Sequence, residues 1–132
     1  MTSEQLVQAA LDTRLNAVAP YSNFKVGAVL LTPEGKTYTG CNIENATYGL
    51  SVCAERVALW KALSEGERAF SRIVVASDSS TPATPCGACR QLLWEFAGDI
   101  EVILANPRGH TESHRLATLF PQAFDRRFFA KI

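Results

Sequence analysis

Three cysteines and one glutamate are the residues whose types and spacing most clearly suggest chemistry. The segment TPCGACRQ holds Cys86 and Cys89 three residues apart behind Pro85, and the segment CAER contains Cys53 and Glu55. By spacing alone, Cys86 and Cys89 could form a disulfide, supply half of a structural zinc site, or belong to a catalytic zinc site. The rest of the chain has to supply the missing ligands.

Both cysteine segments stand where a helix is predicted to begin. CAERVALWKALSEG and CGACRQLLWEFAG have helical periodicity, each closes on a glycine, and Pro85 suits a helix start. Residues three apart in a first turn share one face. The positive end of the helix dipole favours the thiolate, which is the form that binds metal. Cys53 is therefore the expected third ligand beside Cys86 and Cys89.

A site with three thiolates leaves one corner of a zinc tetrahedron open. Catalytic zinc keeps such a position for water, whereas structural zinc normally has four protein ligands. Cys41 could be a fourth ligand, but it lies in a predicted strand twelve residues before Cys53 and is better explained as a small buried residue. Glu55 lies two residues after Cys53, so its carboxylate can lie beside the zinc-bound water and act as a general acid and base. Without the cysteine motif, Glu55 would be interpreted as a first-turn residue that stabilises the helix dipole.

The elements that must position these residues follow from the hydrophobic pattern. In chain order we predict a helix over 3–19, a β-hairpin over 24–45, a helix over 53–66, a strand over 71–77, a helix over 86–98, a strand over 100–106, a short strand near 111–117 and a helix near 119–125. Strands joined by helices favour parallel pairing. We therefore expect one mixed sheet with parallel later strands, covered by helices, and a crevice at their carboxyl ends.

Composition limits the classes of function. The 132 residues predict a single domain over 1–132, and 13 basic against 13 acidic residues give no net charge, which disfavours a nucleic-acid partner. No apolar run approaches the roughly 20 residues of a membrane span, and the N-terminal segment does not have the pattern of a secretory signal. We expect a cytoplasmic protein that acts on a small molecule, with no membrane partner and with reduced thiols, which weakens the disulfide interpretation.

The sequence resembles the cytidine deaminases, specifically the small homotetrameric class with three cysteine ligands. The resemblance covers nearly the whole chain and rests on APYSNFKVGA (19–28), GCNIENATYG (40–49), CAER (53–56), PCGACRQ (85–91) and LFPQAF (119–124). C-A-E followed by P-C-x-x-C is a known zinc-deaminase pattern. The resemblance implies an α/β fold with three α-β-α layers around a central mixed five-stranded sheet.

The resemblance also implies roles for individual residues. These are zinc binding by Cys53, Cys86 and Cys89; proton transfer by Glu55; hydrogen bonds to the ribose from Asn42 and Glu44; packing beside the base by Phe24; contacts to the base edge from the backbone of Ala54 and Cys86; and a position in or near a neighbouring subunit's pocket for Ala46, Tyr48 and Phe124. Without the cysteine segments, Asn42 and Glu44 would be interpreted as a polar strand end, and the two phenylalanines as core residues. On a strand, residues two apart face the same side.

Two arginines lie shortly after expected zinc-binding cysteines: Arg56 three residues after Cys53, and Arg90 directly after Cys89. Three thiolates on a dication leave a net charge of about −1, which should make a water ligand less acidic. An arginine that donates a hydrogen bond to a sulfur withdraws negative charge from the site and offsets this effect. The resemblance implies this role for Arg56. For Arg90, a sulfur contact and a solvated helix position are about equally expected.

The implied reaction is hydrolytic deamination of cytidine and 2′-deoxycytidine to uridine and 2′-deoxyuridine plus ammonia, in pyrimidine salvage. A blasticidin-S-type or other small nucleoside-analogue deaminase is the nearest alternative, although the NIEN segment favours a plain nucleoside. The zero net charge disfavours a polynucleotide deaminase. A non-catalytic zinc module would need Cys41 as a fourth ligand, and a thiol-redox module would need neither Cys53 nor NIEN.

Overall fold

A mixed five-stranded sheet runs through the centre of the protein, which a computed structural model describes over residues 1–130. Its strands are β1 (Val26–Leu31), β2 (Thr37–Cys41), β3 (Arg72–Ser77), β4 (Glu101–Ala105) and β5 (Thr111–Arg115). The spatial order is β2-β1-β3-β4-β5, and β3 and β4 are parallel whereas the other neighbours are antiparallel. The predicted mixed sheet is confirmed, with parallel pairing confined to β3 and β4.

Helices cover both faces of this sheet. They are α1 (Ser3–Arg14), α2 (Ala54–Ser64), α3 (Gly87–Ala97) and the short α4 (Leu116–Leu119). Side chains alternate along β3, so that Val74 packs in the cluster with α1 while Ile73 and Val75 pack in the cluster with α2 and α3. The predicted three-layer α-β-α arrangement is therefore confirmed. None of the described helices is long and apolar enough to cross a membrane.

The first helix is shorter than the hydrophobic pattern predicts. Its start is capped, because the side chain of Thr2 accepts from the backbone of Gln5 and the Gln5 side chain accepts from the backbone of Thr2 in return. It ends at Arg14 instead of continuing to residue 19. Val18 pairs with Ile43 in a parallel bridge, so backbone pairing with a distant segment overrides local helical preference there.

Two glycines allow helices to lie unusually close to the sheet. A Cβ at Gly27 would lie 2.1 Å from the carbonyl oxygen of Ala10 in α1, and one at Gly40 would lie 2.4 Å from that of Ala54 in α2. Neither position has room for a side chain, since both contacts are with backbone. Gly40 thus sets how closely the start of α2 approaches β2.

The chain after β5 differs from the sequence expectation. A helix was expected near 119–125, but α4 ends at Leu119 and a 3₁₀ turn follows at Arg126–Phe129. Pro121 disfavours helical backbone at Phe120, whose φ is −137°, and Gln122 adopts a φ of 52°. The helical turn therefore forms upstream of the proline.

Candidate active site

The N-termini of α2 and α3 bring three cysteine sulfurs together. Cys53 immediately precedes α2, Cys86 immediately precedes α3, and Cys89 lies in the first turn of α3. The Sγ atoms of Cys53 and Cys86 are 3.9 Å apart, and all three Sγ atoms lie within 4.8 Å of one another. The structure thus groups the three cysteines that the sequence singled out.

The donor set and its spacing fit zinc. Two sulfurs that each lie about 2.3 Å from a tetrahedral zinc ion are about 3.8 Å apart, close to the separation of Cys53 and Cys86. All four cysteines are free, so Cys86 and Cys89 form no disulfide. Cys41 ends β2 opposite Gly27 and is not part of the sulfur cluster found in residues 1–130. The cluster therefore offers three sulfurs.

The thiols of Cys53 and Cys89 differ in acidity. The pKa of Cys53 is lowered to about 5, first by a hydrogen bond from Cys89 and then by the guanidinium of Arg56. The pKa of Cys89 is raised, because its proton is held in the hydrogen bond to Cys53 and because the thiol is buried. Within this hydrogen-bonded pair Cys53 is thus the more acidic thiol, and binding of a metal by both thiolates must release the proton that they share.

Glu55 is a buried carboxyl group beside this cluster. It lies in the first turn of α2, is only 5% exposed and lines the same cavity as Cys53 and Cys86. Burial, followed by the nearby charge of Cys53, raises the pKa of Glu55 to about 7. A carboxyl group with a pKa near neutrality can both accept and return a proton at neutral pH.

The two arginines next to the cysteines have different partners. The Nη2 atom of Arg56 lies 3.6 Å from the Sγ of Cys53, and hydrogen bonds to Cys89 and Cys53 raise the pKa of Arg56. Arg90 instead donates to three oxygens: the Pro85 carbonyl, the Leu119 carbonyl and the Thr84 hydroxyl. Of the two alternatives for Arg90, the sulfur contact is therefore wrong, and the solvated position is wrong as well, since its donors are engaged within the protein.

Asn42 and Glu44 lie beyond the end of β2 rather than within it. β2 ends at Cys41, but Ile43 forms bridges with Val18 and Val52 that keep this segment extended. Asn42 and Glu44 consequently face the same side, as their spacing predicts, and both line the cavity.

Asn42 ties the segment before β1 to the cavity wall. Its Oδ1 accepts a hydrogen bond of 2.9 Å from the backbone N–H of Val26, and its Nδ2 donates to the carbonyl oxygen of Phe24 at 2.8 Å. An amide side chain has a second N–H and a second oxygen lone pair. Asn42 therefore keeps hydrogen-bonding capacity for a ligand.

Glu44 organises the loop that precedes Phe24. Its carboxylate accepts from the backbone N–H groups of Tyr21 and Ser22 at 3.0 and 3.1 Å, and from the Ser22 hydroxyl. The Ser22 hydroxyl is the main cause that lowers the pKa of Glu44. Glu44 is thus ionised at neutral pH. Sequence patterns gave no sign of this partnership, because the two residues lie 22 positions apart.

A cavity of about 250 Å³ joins these two groups of residues. Its wall includes Phe24, Asn42 and Glu44 together with Cys53, Glu55 and Cys86. Val26 and Val75 contribute apolar surface, and Thr84, which the sequence did not single out, lies in the wall next to Cys86. The volume and lining suit a small ring with polar substituents.

A second cavity of about 380 Å³ continues from the first past Ser22 and Glu44. Tyr48 lies in its wall, where its ring meets that of Tyr21 edge-on with centroids 5.7 Å apart. Tyr48 is 73% exposed and Phe124 is 56% exposed. Ala46 is exposed as well. The three residues that the resemblance associates with a neighbouring pocket therefore lie at the surface of this chain.

Three cysteine ligands with a nearby glutamate that is not a ligand are the signature of zinc-dependent deaminases. Residues 1–105 match the family model described as the cytidine and deoxycytidylate deaminase zinc-binding region. A cytidine deaminase from Sporosarcina psychrophila is 45% identical over 127 residues, covering 96% of this chain and 93% of the relative. A probable cytidine deaminase from Dictyostelium discoideum is 48% identical over 124 residues, covering 93% and 84%. The chain belongs to the cytidine and deoxycytidylate deaminase family.

Solved structures agree with this assignment. The crystal structure of a cytidine deaminase from Burkholderia pseudomallei matches with a TM-score of 0.91 and 48% identity, covering 94% of this chain and all of that one. That of a cytidine deaminase from Mycobacterium leprae matches with a TM-score of 0.79 and 35% identity, covering 92% and 99%. The predicted family and fold are confirmed. The matched zinc-binding region also contains the three-cysteine cluster, which confirms the predicted zinc cofactor.

Proposed function

We propose that this protein deaminates cytidine and 2′-deoxycytidine by hydrolysis, releasing uridine or 2′-deoxyuridine and ammonia. One observation carries this proposal: a single cavity is lined by Glu55 and by two cysteines of the sulfur cluster, Cys53 and Cys86, and also by Asn42 and Glu44. Family membership and the relatives named as cytidine deaminases support it. The catalytic unit is the single domain over 1–132, working in the cytoplasm.

The metal end of the cavity makes water reactive. Cys53, Cys86 and Cys89 would hold zinc as thiolates. When bound, zinc lowers the pKa of a water ligand from 15.7 towards about 7 and polarises it for attack at neutral pH. Arg56 donates to the Cys53 sulfur and reduces the negative charge that three thiolates place on the site.

Glu55 carries protons between water and substrate. Its carboxylate takes a proton from the attacking water and passes it to ring nitrogen 3 of the base. It then takes the remaining proton from the hydroxyl group now on carbon 4 and gives it to the amino group, which leaves as ammonia while the carbonyl forms. Its pKa of about 7 suits it to both directions of transfer. Its burial keeps bulk water away from the transferred proton.

The other end of the cavity holds the nucleoside. The free N–H of Asn42 and the carboxylate of Glu44 bind the ribose hydroxyls, and Phe24 packs beside the base. Backbone N–H groups at a helix start have no partner within the helix, so those at Ala54 and Cys86 are placed to contact the edge of the base.

A nucleoside suits this cavity better than a nucleotide. Glu44 is ionised, and among residues 1–130 the two cavities have no lysine, arginine or histidine in their walls. A phosphate group there would meet a carboxylate without a compensating cation. The same argument disfavours a nucleic-acid substrate.

Assembly into a homotetramer completes the proposal. Two large aromatic residues are exposed. Tyr48 lines the second cavity together with Glu44, close to the proposed ribose site, which we call the sugar end. Phe124 lies in the C-terminal segment. Phe124 belongs to an exposed aromatic cluster with Phe128 and Phe129. Exposed apolar surface of this kind is typical of interfaces. In the tetramer, such residues from a neighbouring subunit would close the sugar end of each pocket.

The test is turnover by purified, zinc-loaded protein. Loss of the ultraviolet absorbance of cytidine and release of ammonia should occur with cytidine and 2′-deoxycytidine. Cytidine 5′-phosphate should react poorly because the walls of the two cavities, within residues 1–130, offer no cation to its phosphate. Blasticidin S should react poorly because its sugar has no hydroxyl group for Asn42 and Glu44 to bind. A folded protein that holds zinc but leaves cytidine unchanged would refute the proposal, and preferential turnover of blasticidin S would favour the analogue deaminase instead.

A further inference from the structure

Arg90 connects two segments that are far apart in the chain. Its Nε donates to the carbonyl oxygen of Pro85 at 2.8 Å, its Nη2 to the hydroxyl of Thr84 at 2.7 Å, and its Nη1 to the carbonyl oxygen of Leu119 at 2.6 Å. These are the short distances of charge-assisted hydrogen bonds. One planar guanidinium therefore spans from the segment before α3 to the end of α4.

The segment that Arg90 holds forms part of the catalytic cavity. Thr84 lines the cavity, and Pro85 directly precedes Cys86, whose sulfur belongs to the metal cluster. The backbone N–H of Arg90 also donates to the carbonyl oxygen of Cys86 at 2.9 Å. Residues 78–86 lie between β3 and α3 without regular secondary structure, so side-chain contacts of this kind must fix their course.

The acceptor that lies farthest from Arg90 in the chain, the carbonyl oxygen of Leu119, is at the end of helix α4. α4 is a single turn whose last carbonyl groups have no partner within the helix, and Arg90 supplies one to Leu119. The next residue of α3 makes a parallel contact, because Nε2 of Gln91 donates to the carbonyl oxygen of Phe124 at 2.7 Å. The first turn of α3 thus anchors both the cavity wall and the segment that leads to Phe124.

We propose that Arg90 is a positioning residue that fixes Thr84 and Cys86 through geometry and not through its charge on the sulfurs. Its effect on substrate binding rests on the proposed function, whereas its effect on metal retention does not. Lysine keeps the charge but presents one compact ammonium group, which cannot reach three oxygens in a planar arrangement. An electrostatic role would be rescued by lysine, and a geometric role would not.

The experiment compares Arg90→Lys with wild-type protein and with Arg68→Lys. Arg68 is a matched control, because it too donates to backbone carbonyls, those of Leu63 and Glu67, but away from the cavity. We measure the rate of zinc release to a coloured chelator, and KM and kcat for cytidine, well below the unfolding temperature. Arg90→Lys should release zinc about tenfold faster and should raise KM, whereas Arg68→Lys should match wild type.

Thr84→Val provides a second variant that keeps the size of the side chain and removes one of the three acceptors. It should raise KM and speed zinc release to a smaller degree than Arg90→Lys. Should Arg90→Lys fail to fold, Thr84→Val decides the question alone. The proposal is overturned if zinc release and KM of the folded variants stay within about twofold of wild type. Wild-type protein that retains zinc but does not deaminate cytidine would refute the proposed function and leave the zinc-release comparison intact.

Discussion

The two ends of the cavity are built in contrasting ways. The metal end consists of residues at or next to the starts of two helices: Cys53, Glu55, Cys86 and Cys89. The sugar end, at which we propose that the ribose binds, is formed by Asn42 and Glu44. These two residues and Phe24, which also lines the cavity, lie outside the regular strands. Glu55 is 5% exposed, whereas Phe24 is 38% exposed. Helices packed on the sheet fix the first group, and loop contacts fix the second.

The difference in burial between the two ends indicates which part of the site a single chain supplies and which part depends on assembly with other subunits. The metal end has its sulfurs, its buried carboxyl group and its arginine contact within the described chain. The sugar end opens towards exposed aromatic residues such as Tyr48. We therefore expect changes at the metal end to abolish chemistry, and changes at the sugar end to weaken substrate binding and to depend on the neighbouring subunit.

The largest effect should come from removing a metal ligand. Cys89→Ser replaces a buried sulfur ligand with a harder, less acidic hydroxyl, so zinc content and turnover should both fall to below about 1% of wild type. Elemental analysis after dialysis and the cytidine assay measure the two quantities. Cys41→Ser is the control, since Cys41 is not in the cluster; zinc loss in that variant would indicate a four-cysteine structural site instead.

An intermediate effect is expected at Glu44. Glu44→Gln removes a charged acceptor for the ribose, and hydrogen bonds to charged groups are worth about 1.5–3 kcal/mol, which corresponds to a loss of about 10- to 150-fold in kcat/KM for cytidine. The loss should appear mainly in KM. With 2′,3′-dideoxycytidine, which has no diol, wild type and variant should differ little. An equal loss with both substrates would mean that Glu44 only holds Tyr21 and Ser22 in place.

A smaller effect, of several-fold, is expected for Phe124→Ala, because this residue would act on a neighbour's pocket. Mixing and reassembling Phe124→Ala with the inactive Glu55→Gln chain tests this directly. Some pockets would then combine an intact Glu55 with a neighbour's intact Phe124, so the mixture should exceed the summed activity of its parts. Activity equal to that sum, or a monomer by light scattering, would contradict completion of the pocket across subunits.

The smallest effect concerns the anchor of the C-terminal segment. Nε1 of Trp94 donates to Asp125 at 2.9 Å, and this bond, with help from Arg127, lowers the pKa of Asp125. Because the folded pKa lies below the unfolded value of about 3.9, the stabilisation is present above that value and is lost as the pH falls through the lowered pKa. Asp125→Asn should therefore lower Tm by less than about 5 °C at neutral pH.

Thermal unfolding of the metal-free protein between about pH 7 and pH 2.5 checks this pH dependence, since zinc would otherwise dissociate in acid. The difference between Asp125→Asn and wild type should shrink towards the acidic end. Asp12→Asn serves as the control, because Asp12 lies on α1 and its side chain accepts a hydrogen bond from Gln8. A difference in Tm that does not vary with pH would contradict the account of Asp125.

The metal end could be predicted from sequence because its determinants are local. Pro85 and the cysteine spacing indicate a helix start with two sulfurs on one face, and the helix–strand–helix order places Cys53 at the same edge of the sheet. The elements that carry these residues were predicted for the same reason. Periodicity failed where distant pairing or a proline overrode it, as at Val18 and Pro121.

The sugar end and Arg90 depend on contacts that sequence spacing does not encode. Asn42 and Glu44 face one side because Ile43 pairs with two distant segments, not because a strand continues. Arg90 follows Cys89 just as Arg56 follows Glu55 in the other helix start, yet its donors reach Leu119, 29 positions away. Only the folded arrangement distinguishes an arginine that contacts sulfur from one that braces a loop.

The division between chemistry and binding is tested most directly by Glu55→Gln, loaded with zinc and assayed with cytidine. Zinc content and cytidine affinity, measured by calorimetry on the same preparation, should stay within about threefold of wild type, while turnover should fall by at least about 100-fold. Turnover within about tenfold of wild type in the zinc-loaded variant would contradict the role of Glu55 as the proton carrier.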